Sequence, residues 1–94
     1  MFYGYIHAKI QEGMFILRVN ISTKWSEDIE LATKMIYDKC SELSRKYKAK
    51  IVYASIVKVK YVLKNNKIHV LERQEYIDMT QNLQICLKAL HSRW

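Results

Sequence analysis

Proline is absent from this sequence, and glycine occurs only at Gly4 and Gly13. That excludes collagen-like, proline-rich and loop-built chains, and it leaves no glycine-rich loop to cradle a nucleotide phosphate. Cysteine occurs twice, at Cys40 and Cys86, without CxxC spacing. Each falls on the apolar stripe of a predicted helix and reads as a reduced core thiol, although an oxidising compartment would still allow a disulfide between the two helices. Long apolar runs are missing too. The longest mostly apolar stretch, Ile51 to Val57, falls far short of the about 20 residues needed to span a bilayer. His7 and Lys9 interrupt the first ten residues where a signal peptide needs an unbroken apolar run. The expectation is a soluble, cytoplasmic protein with no membrane partner.

What is present is a globular composition. Half of the 94 residues are apolar or aromatic, 27% are charged, and the formal net charge is +7. A chain of this length has one core, so residues 1–94 read as a single domain, modest in stability and helped by a partner subunit.

Phe2 to Ile10 alternates, with Phe2, Gly4, Ile6, Ala8 and Ile10 on one face and Tyr3, Tyr5, His7 and Lys9 on the other. Period two indicates a half-buried strand. Phe15, Leu17, Val19 and Ile21 repeat the pattern after a turn placed at Glu12-Gly13, which sets Ile10 opposite Phe15 and keeps every apolar pair on one face. Ser26 reads as a helix N-cap, Trp25 before it as a hydrophobic staple, and Ile29, Ala32, Ile36, Cys40, Leu43 and Tyr47 as one helical stripe over about residues 27–48. Residues Ile51 to Leu63 form a third strand, Asn65-Asn66 the turn, and Ile68 to Leu71 a fourth strand. Tyr76, Met79, Leu83, Cys86 or Leu87, Leu90 and Trp94 predict a second helix from about Gln74 to Trp94.

The order ββαββα predicts an α+β two-layer sandwich. Its four-stranded antiparallel sheet has strand order 2-1-3-4 or 1-2-4-3, with both helices on one face. The other face is then open. Alternation assigns to it Tyr3, Tyr5, His7 and Lys9, then Ile16, Arg18, Asn20 and Ser22, then Val52, Ala54, Ile56, Lys58, Lys60 and Val62, with His69 and Leu71 last. This reading leaves no carboxylate on the face. It also leaves an apolar group, Val52-Ala54-Ile56, that needs a cover, expected to be a second copy of the chain with Trp94 as an interface anchor.

The charge is uneven. Eight of the sixteen lysines and arginines lie between Leu43 and Leu71, where there is no acid. A local basic surplus beside exposed aromatics suits a nucleic-acid binder, with Lys9, Arg18, Lys58, Lys60, Lys64 and Lys67 for phosphates and Tyr3 and Tyr5 for stacking. The alternative is a homodimeric protein-interaction module docking an acidic protein surface, in the manner of a viral or mobile-element inhibitor of a host nucleic-acid enzyme. His7, His69 and His91 lack ligand spacing, no nucleophile elbow occurs, and neither cysteine has a recognisable base. The chain is therefore expected to act without catalysis, metal, cofactor or small-molecule substrate.

Overall fold

The computed structural model describes residues 1–91. Strands β1 (Phe2–Glu12) and β2 (Phe15–Ser22) precede helix α1 (Ile29–Lys46); strands β3 (Lys48–Lys64) and β4 (Lys67–Asp78) precede helix α2 (Thr80–His91). All strand pairs are antiparallel, in the order β2-β1-β3-β4. The fold is α+β, and the first of the two expected strand orders is the one adopted.

Both helices cover the central strands on one face. Ile6, Ala8 and Ile10 of β1 and Ala49, Ile51, Ala54 and Ile56 of β3 pack against Ala32, Ile36, Cys40 and Leu43 of α1, and against Met79, Leu83 and Leu87 around α2. The approach of α1 is close at Gly4, where an added Cβ would stand 2.9 Å from the Cβ of Ile36. Asp28, rather than Ser26, caps α1, accepting from the Glu30 N–H, while the Ser26 hydroxyl accepts from Asp28 N–H. Asp78 accepts from the Thr80 N–H at the start of α2, and that bond holds its carboxyl below the ordinary range.

Several expectations are corrected. The first turn is Gly13-Met14, with Glu12 facing Phe15 and Ile10 facing Leu17. The slip is two residues, so the apolar face survives it. The second turn is Asn65-Asn66 as expected, both residues left-handed at φ 51° and 61°. The fourth strand does not stop at Leu71. It runs to Asp78, taking Gln74 to Asp78 out of the expected second helix.

The largest correction concerns β3. A bulge lies between the pairs His7–Tyr53 and Ala8–Ile51, so Val52 has no partner on β1. One extra residue reverses the facing of everything after it. Ala54 and Ile56, expected on the open face at a dimer interface, are instead 0% exposed in the helix-covered core. Only Val52 of that expected interface remains exposed, and Trp94 lies outside the described residues. Lys58 moves with them. It stands opposite Phe2 on the helix side, its Nζ 5.9 Å from the Tyr76 ring centre, and Lys60 follows by alternation.

The β3–β4 hairpin outruns the helical layer. Every residue of β4 is exposed, and the molecule measures 50 × 27 × 17 Å. Its radius of gyration, 14.8 Å, exceeds the roughly 12 Å of a compact chain of this length. Among the described residues no helix is long and apolar enough to cross a membrane.

Candidate nucleic-acid interface

The face away from the helices is built by alternation on β1 and by the reversed alternation of β3. At one end of it, three cations stand in a single row across three strands. Lys9 of β1 is directly opposite Arg18 of β2 on one side and Lys50 of β3 on the other. The next row holds Lys48 opposite Gln11. Among the described residues the ion pairs are Lys34–Asp38, Lys39–Glu42 and Lys46–Glu42, all on α1, so none of these four cations is neutralised by an acid. Like charges directly opposite one another on a sheet oppose folding. A row of three is a local cost that a bound anion would remove.

On the other side of the cation row, His7 lies between Asn20 and Tyr53. The Asn20 carbonyl oxygen accepts from the Tyr5 hydroxyl at 2.9 Å and is also bonded to His7 Nδ1. Tyr53 donates its hydroxyl to Glu75, and its ring lies 6.2 Å from that of Tyr5. These bonds fix two half-exposed rings and an imidazole beside the cation row.

The other end of the face is aromatic. Residues 23–26 continue the line of β2 along β1: Thr23 N–H donates to the Gly4 carbonyl, and Phe2 and Ser26 exchange backbone bonds of 2.7 and 2.8 Å. This extension turns Trp25 onto the face of Tyr3, where the rings stack at 6.3 Å, with Tyr61 5.9 Å beyond Trp25. Trp25 is therefore no staple on α1. Arg73 of β4 stands 6.0 Å over the other partner, Tyr3. Tyr3 is only 8% exposed, and Ser55 and Val59 beside it are buried as well. From Tyr3 to Lys9 the strand covers about 20 Å.

The expected site residues therefore separate. Tyr3, Tyr5, Lys9 and Arg18 share the open face, but Tyr3 is covered and cannot accept a stacked base. Lys58 and Lys60 lie on the opposite side of the sheet. Lys64 and Lys67 pair with each other beside the Asn65-Asn66 turn at the far end of the ribbon. Lys48, Lys50, Trp25, Tyr53, Tyr61 and Arg73 join the face although the expectation did not include them. Lys48 and Lys50 had a signal in the sequence, since they alternate with Ala49 and Ile51. The face is also not free of acid, because Glu75 sits opposite Val57 on it. Among the described residues no three His, Cys, Asp or Glu side chains group as a metal site.

Cys40 and Cys86 are both free thiols. Burial, with a smaller contribution from Cys86, pushes the Cys40 thiol up to about 11, so it stays protonated and unreactive at neutral pH. No family model, curated protein or solved structure matches this chain.

Proposed function

We propose that this chain is a cytoplasmic, non-catalytic nucleic-acid-binding protein that takes a single strand across the open face of its sheet. The observation that carries the reading is the unpaired row Lys50–Lys9–Arg18, three cations held side by side against their own repulsion. Phosphates lie along this row. Bases reach the half-exposed rings of Tyr5 and Tyr53 and the edge of the Trp25–Tyr61 pair. Sequence selectivity is weak, because Asn20, whose amide could read a base edge, has its carbonyl oxygen engaged by Tyr5 and His7.

The test is retardation of fluorescent single-stranded RNA and DNA and of duplex controls at low salt, for the parent and for Lys9→Gln/Lys50→Gln. Binding by the parent that the double variant loses supports the reading. No retardation of any nucleic acid overturns it. The same row would then suit an acidic protein surface, the reading favoured by the exposed apolar tip Met14-Phe15-Ile16 of the β1–β2 hairpin.

A further inference from the structure

The two edges of the sheet differ in what they offer. β2 carries one charged side chain, Arg18, whereas β4 carries both signs, with Glu72, Arg73 and Glu75 in succession. Strand β4 lies at the edge of the sheet, all twelve of its residues are exposed, and nothing among the described residues pairs with its outer side. An uncovered edge of this length is a template for another strand. Bulges on β4 leave Glu72 to Glu75 as its regular central stretch, paired in step with Lys60 to Val57 of β3.

We infer that β4 is the interface for a second copy of this chain, the two β4 edges pairing antiparallel about Gln74 to give one continuous eight-stranded sheet. The register follows from symmetry and charge. Antiparallel edges related by a two-fold axis must place one residue opposite its own copy. Centring on Glu72, Arg73 or Glu75 sets like charges face to face. Centring on Gln74 sets a neutral amide opposite itself and places Arg73 opposite the second copy's Glu75, twice over. Leu71, 59% exposed, then approaches Ile77 of the other copy on each side, and the half-exposed Tyr76 ring lies close to them. The axis stands perpendicular to the sheet, so both open faces look the same way. This interface is separate from the core positions Ala54 and Ile56, and it stands or falls independently of nucleic-acid binding.

Sedimentation velocity at micromolar to millimolar concentration tests the inference. The parent is expected at twice its chain mass of 11.3 kDa. Arg73→Glu, which opposes two carboxylates at each contact, is expected to be monomeric, and Arg73→Glu with Glu75→Arg is expected to recover the dimer. Circular dichroism checks that each variant is folded. Independently, Gln74→Cys in a Cys86→Ser background is expected to give a covalent dimer under dissolved oxygen, because directly opposed Cβ atoms lie about 4.5–5.5 Å apart. A parent that stays monomeric at millimolar concentration overturns the inference. So does a dimer that Arg73→Glu leaves intact and Gln74→Cys does not cross-link.

Discussion

Gly4 shows how tightly a single residue can fix the geometry of the layers. Its missing Cβ lets Ile36 of α1 rest on the backbone of β1, and an alanine there would meet side-chain carbon at 2.9–3.1 Å. Gly4→Ala is expected to destabilise by about 1–3 kcal/mol, read by thermal melting, because both partners sit in a packed layer with no free end to swing aside. Lys9 carries the opposite expectation. It is flanked by Arg18 and Lys50, so Lys9→Gln should leave the melting temperature unchanged or raise it while weakening polyanion binding. The cysteines offer a third check. Cys40 is fully buried with its thiol pushed up to about 11, and Cys86 is half-buried. One equivalent of alkylating reagent should enter the native protein quickly, at Cys86. The second should enter only on unfolding, and equal rates at both sites would contradict the packing described.

At the scale of elements, the helices rest on their stripes and their caps. Ile36 and Leu83 are 0% exposed, so Ile36→Ala and Leu83→Ala should each cost about 2–5 kcal/mol in denaturant unfolding. Asp78 accepts from the first turn of α2 and has its carboxyl lowered by that bond. A carboxyl lowered in the folded state stabilises above its unfolded value, and that stability is lost as pH falls through the folded value. Stability should therefore decline below the ordinary carboxylate range, and Asp78→Asn should flatten that decline in pH-dependent melts.

The helical stripes and the facing of the first hairpin were legible in the sequence because their apolar positions recur at 3–4 and at 2 residues, whereas the exact turn of that hairpin and the start of α2 were not. The facing of β3 was not. Ile51-Val52-Tyr53-Ala54 is apolar or aromatic at four successive positions, so either alternation supplies an apolar face and the bulge at Val52 leaves no mark. The far half of β4 was hidden for a different reason. It is exposed on both faces, so Glu72 to Tyr76 has no burial period to display, and its glutamates, glutamine and arginine are good helix formers. The same reversal moved Lys58 and Lys60 away from Tyr5, whereas Lys50, before the bulge, keeps the facing its alternation with Ala49 and Ile51 implies. The expected site therefore contained Lys9 and Arg18 of the cation row and missed Lys50.

The whole molecule is an elongated plate with two hairpin tips at opposite ends, helices on one side and a face graded from aromatic to cationic on the other. Its excess charge is not one patch. The lysines between Leu43 and Leu71 divide among the end of α1, the cation row, the helix side of the ribbon and the tip at Lys64 and Lys67. The central claim is that the row Lys50–Lys9–Arg18 binds phosphate, and the direct measurement is the salt dependence of affinity for a single-stranded oligonucleotide. Each phosphate contact contributes about 0.7 to the slope of log affinity against log salt on single strands. Lys9→Gln/Lys50→Gln should lower that slope by up to about 1.4, whereas Lys58→Gln/Lys60→Gln, on the other side of the sheet, should leave it unchanged. Equal loss from both pairs, or loss from Lys58 and Lys60 alone, would contradict the assignment of the open face.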